Sequence, residues 1–308
     1  MPRASRVPSP LAARLRGAVA AVALAGLGLV TAGCGGAATG ASHAAPHTRV
    51  DPSLYDLLPP AVHASWVLRI GTDASYAPMS SFGRDGRTIV GAEPDLGAEL
   101  GRVLGVRVRF VVRDFTALIP AVTRGDLDLA MSAMTDTAER ARRVDFVDYF
   151  SAGTSILVQR GNPAGITDIS DLCGKVVAVE RGTTQVDLLQ RAQHHCRGRR
   201  IDVRAFATNS DALLRLRTGR AVAVLNDLPP AAFLVNDPRT RASYELASTA
   251  QYEPGLYGIA VAKDRLRLRD AVQGALEELL SGGAYDRVLD RWNVEEGAVD
   301  RISVDGDR

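Results

Sequence analysis

The sequence predicts an α/β protein with two lobes, on three observations. From Val67 onward short apolar strands alternate with amphipathic helices, and the alternation comes as two separate series. With 308 residues, 46% hydrophobic and 23% charged, the chain can give each series a core of its own. Strands joined by helices of this length form right-handed parallel β-α-β units, whose ligands bind beyond the carboxyl ends of the strands.

Composition excludes several partners. Of 37 basic residues only Lys175 and Lys263 are lysines, so no arginine is informative merely by being one. Residues 1–33 hold Arg3, Arg6, Arg14 and Arg16 and no acid, leaving 33 basic against 35 acidic groups beyond them. Those charges are interspersed, which argues against a nucleic-acid groove or a polybasic membrane patch.

Residues 1–33 read as an export signal, with a cationic start and an uncharged run from Gly17 to Gly33 that is too short and weakly apolar to span a bilayer. The run ends in Thr31-Ala32-Gly33-Cys34, which resembles a bacterial lipobox, with Thr31 where Leu is usual. Cys34 is therefore the expected lipidation site, and two or more acyl chains anchor a protein stably. Residues 34–54 are rich in Gly, Ala, Ser and Thr and predict a flexible tether. The folded part is expected from Tyr55.

The first series comprises a strand at Val67–Gly71, a helix over Glu93–Leu104, a strand at Val106–Val112, a helix over Phe115–Val122 and a strand at Leu127–Ala130. Asp136 and Glu139 then stand at capping-box spacing, which predicts a helix with Arg140 in its first turn. A cation there opposes the macrodipole; beside free N–H groups and hydroxyls it can grip a carboxylate through two parallel bonds. Arg142 and Arg143 leave open the plainer reading of a solvated face.

The second series runs through a strand at Lys175–Glu180, the turn Gly182-Thr183-Thr184-Gln185 and a helix to about His194. A strand over Arg200–Phe206, a helix over Asn209–Thr218, a strand over Ala221–Leu225 and a helix opened by Pro229 follow. The chain returns through Tyr244–Tyr252 to a strand at Leu256–Ala262 and helices over Leu266–Leu280 and Ala284–Trp292, and residues 298–308 read as a short charged tail.

Cys173 and Cys196 form an even pair in an exported chain and predict a disulfide. A metal site at His194-His195-Cys196 lacks a fourth ligand at any usual spacing. No Walker A loop, G-x-S-x-G, CxxC or H-E-x-x-H occurs, and no cofactor is expected. Asp145 and Asp148, three apart on a strand, predict surface or hinge roles rather than an acid–base pair.

Val67–Pro78 (VLRIGTDASYAP), Asp114–Ala121 (DFTALIPA), residues 130–150 with SAMTDT-x-ER, the DLCGK segment, the GTTQ turn and Trp292-Asn293-Val294 resemble the family 3 extracellular solute-binding proteins, in particular actinobacterial lipoproteins. The resemblance covers about residues 55–297. It implies a type II periplasmic-binding-protein-like fold, two α/β lobes joined by a two-strand hinge and closing over an amino acid. Lobe 1 would comprise 55–153 and 252–297, and lobe 2 154–251, with crossings near Ser151–Ile156 and Ala250–Leu256. The implied role is a monomeric amino-acid receptor, lipid-anchored to the cell membrane, that serves the permease of an ABC importer and its ATPase.

The resemblance also implies the site. Arg140, the Thr135 backbone and the amides of Thr183 and Thr184, in the turn with Gln185, would hold the α-carboxylate. Asp227 would accept the α-ammonium, Tyr76 and Phe115 would wall the side-chain pocket, and Ser132, Ala133 and Met134 would line its floor. Asp73 and Glu180 would approach the ligand side chain and favour a cationic or amide group. Asp227 also reads as an N-cap for the Pro229 helix. The family's G-F-D-x-D-L stands here as Gly91-Ala92-Glu93-Pro94-Asp95-Leu96, and Met79 replaces a common Phe. Two other classes remain in view. One is a dehydratase of arogenate- or prephenate-like acids, with Glu180 as its acid; the other is a sensory module acting through a separate partner.

Overall fold

The computed structural model describes residues 49–307; the expected export signal and Cys34 lie outside the described residues, as does most of the expected tether. The folded part starts earlier than Tyr55. Asp51 donates its N–H to the Val103 carbonyl, and its carboxylate caps a first short helix, α1 (Pro52–Tyr55). After α2 (Pro60–Ser65) the chain enters β1 (Val67–Thr72), whose Leu68 and Ile70 are fully buried. A small antiparallel sheet follows, β2 (Ser75–Tyr76), β3 (Ser80–Phe82) and β4 (Ile89–Val90). Next come α3 (Ala92–Val103), β5 (Arg107–Val112), α4 (Phe115–Arg124) and β6 (Leu129–Ala130). Strands β5, β1 and β6 pair in parallel, as expected of β-α-β units.

The connection between the halves is β7 (Val144–Gln159), sixteen residues long. Beyond it lie β8 (Val176–Glu180), α5 (Thr184–Ala192), β9 (Asp202–Phe206), α6 (Asn209–Arg217), β10 (Ala223–Asp227), α7 (Leu228–Asn236) and β11 (Tyr244–Leu246). Strands β10, β8 and β9 are parallel to one another. The chain returns along β12 (Tyr252–Ala262) to α8 (Leu266–Ser281), α9 (Ala284–Trp292) and β13 (Ser303–Val304). The sheet order is β5-β1-β6-β12-β7-β10-β8-β9, so β7 and β12, antiparallel to each other, are the two strands common to both halves.

Each half has its own core on both sheet faces. In the first half, Leu96, Leu100, Leu276 and Tyr285 of α3, α8 and α9 cover one face, and Leu118 and Val122 of α4 the other. In the second, Val177, Val179 and Leu189 pack on one face, and Ala178, Leu216 and Ala231 on the other. Strand β7 feeds all four clusters, because alternate side chains of a strand point to opposite faces: Phe146, Tyr149, Val158 and Leu157 go to a different cluster each. Cys173 and Cys196 are bonded, with Cα atoms 5.6 Å apart, across the unit that holds β8 and α5.

Three further expectations change. The helix predicted after Asp136 is a single 3-10 turn, Arg140–Arg142, with Thr137 at its start: its Oγ1 accepts from the Arg140 N–H at 3.3 Å and its carbonyl from Ala141 at 2.9 Å. Residues 138–143 offer no apolar stripe to bury and β7 begins at once, so a longer helix has neither room nor reason to form. Asp145 and Asp148 are buried rather than superficial: Asp145 accepts from Lys263 Nζ at 2.7 Å, Asp148 from Ser303 Oγ at 3.1 Å and the Gly306 N–H at 2.8 Å. The expected charged tail is part of the fold, since β13 pairs with β7 and Asp305 accepts from the Phe146 N–H at 2.9 Å.

Candidate functional site

The carboxyl ends of β1, β6, β8 and β10 converge on one cleft between the two halves of the sheet. After β1, Asp73 is buried; its N–H donates to Ser132 Oγ at 2.8 Å and its Oδ1 accepts from the Ser75 N–H at 2.9 Å. After β6 the chain turns through Ala133, at φ 44°, a left-handed conformation that an alanine adopts only when held. What holds it is Glu93: Oε1 accepts from the Ala133 N–H at 2.5 Å and from the Tyr149 hydroxyl, and Oε2 from Ser80 Oγ at 2.7 Å. Burial pushes the Glu93 carboxyl up, and its three donors pull the other way.

Arg140 is placed by carbonyls rather than by a helix. Its Nη1 donates to the Thr135 carbonyl at 2.7 Å, its Nη2 crosses the cleft to the Gly182 carbonyl at 2.9 Å, and its guanidinium lies 5.3 Å from the centre of the Phe115 ring. Two of its five N–H donors are thus used. Burial lowers its pKa; Asp187 and Asp227 oppose that shift.

From the second half come Glu180, at the end of β8, and the turn into α5. Thr183 stands at the N-cap position, but its hydroxyl donates back to the Glu180 carbonyl at 2.8 Å instead of capping. Asp227, at the N-cap position of α7, does not cap its helix either. Its Oδ1 accepts from Gln185 Nε2 at 2.6 Å and Thr154 Oγ1 at 3.4 Å, and its Oδ2 from the hydroxyls of Tyr257 at 2.6 Å and Tyr76 at 3.2 Å. Burial pushes the Asp227 carboxyl up to about 6 against the pull of those donors. Glu180, buried beside Asp73 and Asp114, is pushed up to about 9. Burial raises Asp73 as well, with Asp114 adding to the shift.

These groups line one narrow cleft between the two halves. Of the thirteen residues expected there, Asp73, Tyr76, Phe115, Ser132, Ala133, Thr135, Arg140, Glu180, Thr183, Thr184, Gln185 and Asp227 line it. Met134 does not. The residue is 1% exposed and lies in the α4-side core, where an apolar side chain is better placed than in a polar cleft. Sequence reasoning missed Tyr257, Thr154 and the bracing role of Glu93. The signal for Tyr257 was its position beside the expected crossing strand.

Comparison with known proteins then places the chain. The sequence model for "Bacterial extracellular solute-binding proteins, family 3" matches residues 68–295. The chain belongs to that family. The family 3 chain is 29% identical over 257 residues to the arginine-binding protein ArgT of Corynebacterium glutamicum, covering 82% of this chain and 83% of the relative. It is 30% identical to the lysine/arginine/ornithine-binding periplasmic protein of Escherichia coli, covering 78% and 90%. Among solved structures, a mutant of the T. maritima protein ArgBP has a TM-score of 0.69 at 31% identity, covering 78% of this chain and 99% of its own. These relatives are binding proteins, and the two-lobed α/β fold that family membership implied is the fold observed.

Proposed function

We propose that this chain is the extracytoplasmic receptor of an ABC importer for α-amino acids with cationic side chains. One observation carries the reading: Asp73 and Glu180, both buried, face each other in a cleft whose other charges are Arg140 and Asp227, and neither forms an ion pair among the described residues. A dipolar main chain needs one cation and one anion, which Arg140 and Asp227 supply from different halves. The remaining acids then match a guanidinium or ammonium at the far end of the ligand. The names of the arginine- and lysine-binding relatives support the same class.

In this reading the α-carboxylate binds the unused N–H groups of Arg140 and the amides of Thr183 and Thr184. The α-ammonium displaces the longest donor of Asp227, Thr154 Oγ1 at 3.4 Å. Residues 51–153 and 252–307 form one lobe and 154–251 the other; ligand contacts to both favour closure, which the permease reads. Cys34 would carry the lipid that anchors the receptor, as a monomer, to the cell membrane. The dehydratase alternative fits less well: its acidic substrates would bring a further anion against Asp73 and Asp114.

Calorimetry with the full set of protein amino acids tests the reading. Arginine and lysine are expected to bind tightly; tight binding of glutamate or a branched aliphatic, with none for arginine, lysine, glutamine or asparagine, would refute it.

A further inference from the structure

Glu180 differs from the other acids of the site. Its side chain is 6% exposed, and its Oε1 has no hydrogen-bond partner. The groups that face it are Asp73 from the loop after β1, whose side chain is hydrogen-bonded to it, Asp114 at the start of α4 and the Tyr76 hydroxyl. The one arginine lining the same space, Arg140, is turned to the carbonyls of Thr135 and Gly182. Buried among carboxyl groups, Glu180 keeps its proton up to about pH 9.

A carboxyl in that setting can be either of two recognition groups. With its proton it has an O–H donor, the complement of a carboxamide or ureido carbonyl; without it, the group only accepts, the complement of a guanidinium or ammonium. In the unliganded cleft Asp73 accepts the Glu180 O–H; a ligand carbonyl takes over that donor and leaves Asp73 to accept the ligand's N–H groups. Resting on the amino-acid-receptor reading, we propose that Glu180 makes the cleft proton-selective between two side-chain classes. When protonated it takes neutral carboxamide or ureido side chains. When a cationic side chain enters, it gives its proton to the solvent. One proton leaves Glu180 for each cationic ligand bound, and none for each neutral one.

Arginine and citrulline are the probes. They share the α-amino and α-carboxylate groups, so titration of those groups cancels between them, and above about pH 7 Asp227 is ionised for both. Calorimetry of the full chain in buffers of different ionisation enthalpy, between about pH 7 and 8.5, counts the protons released. Arginine is expected to release close to one proton, its affinity rising by up to about tenfold per pH unit. Citrulline is expected to release none and to weaken as the pH nears about 9. In Glu180→Gln, whose fold is checked by its melting temperature, the arginine release and slope should vanish while citrulline binding stays level with pH. Absence of proton release with arginine in the unmodified protein overturns the proposal without any variant, and so does an unchanged slope in Glu180→Gln. Failure of the receptor reading looks different: neither ligand binds at any pH, and both ideas fall together.

Discussion

Tyr76 and Asp227 are bonded to each other twice across the cleft. The Asp227 N–H donates to Tyr76 Oη at 2.9 Å, and Oη donates to Asp227 Oδ2 at 3.2 Å. One hydroxyl from the first half of the molecule therefore serves both the main chain and the side chain of the acid proposed to hold the α-ammonium. Tyr76→Phe keeps the ring that walls the pocket but strands a buried N–H and removes one of four donors to the carboxylate. A stranded group of this kind costs about 1–3 kcal/mol, so arginine affinity should fall by about tenfold or somewhat more. Asp227, already at about 6, should titrate higher still. Since only its ionised form attracts an ammonium, the loss of affinity on acidification should begin at a higher pH in the variant. Calorimetry between about pH 5 and 8 reads both effects.

Arg140 has a cross-cleft bond too, to the Gly182 carbonyl. Arg140→Ala removes the carboxylate's proposed partner and this bridge together, and arginine binding should drop by at least about a hundredfold with the melting temperature little changed. Arg140→Lys should recover little, because an ammonium cannot span two carbonyls and a carboxylate in one plane. Unchanged affinity in either variant would remove Arg140 from the site.

How much of this was legible beforehand follows from the range of the forces involved. The helices over 92–103, 115–124 and 284–292 carry their own apolar periodicity and appear where the pattern put them. The turn after Asp136 carries a capping-box spacing but no stripe to bury, so tertiary geometry prevailed over the local signal. Twelve of the thirteen expected site residues share one cleft because they sit at strand ends, where parallel topology gathers loops. Met134 failed the same logic: adjacency to Ser132 says nothing about which way a side chain turns once Ala133 has reversed the backbone. Tyr257 reaches the site from the middle of β12 and Glu93 from the first turn of α3, and contacts between residues so far apart in sequence leave no local pattern to read.

The C-terminal segment should be needed for stability. Truncation after Asp300 removes the pairing of Ser303 and Val304 with β7, the buried Ile302 and both donors to Asp148. A buried carboxyl left without its partners costs about 3 kcal/mol, and the urea midpoint should fall accordingly. Asp148→Asn in the truncated chain should return part of the loss, because an uncharged amide is less costly to leave buried. A truncated chain as stable as the full one would show the segment to be a passive appendage.

Stability should also fall as the pH rises, contrary to the usual behaviour of proteins rich in paired carboxylates. Asp148 and Asp227 are pushed from 3.8 to about 6 and Glu180 from 4.5 to about 9. Between the unfolded and folded values of each group the folded state binds more protons than the unfolded one, so the free energy of unfolding decreases with pH across that interval. The first two groups act from about pH 4 to 6, and Glu180 carries the decline on towards 9. Asp128, held low by the adjacent Arg69, has the opposite sign, but its contribution is lost only on acidification through its folded pKa, below 3.8. The melting temperature should therefore be highest near about pH 4–5 and drop by several degrees by about pH 8. Saturating arginine should flatten the upper part of that decline by giving the ionised Glu180 a cation, and Glu180→Gln should flatten it without ligand. A melting temperature that climbs steadily from pH 5 to 8 in the unliganded protein would mean that these acids are ionised and paired in solution, against the burial that sets their pKa values here.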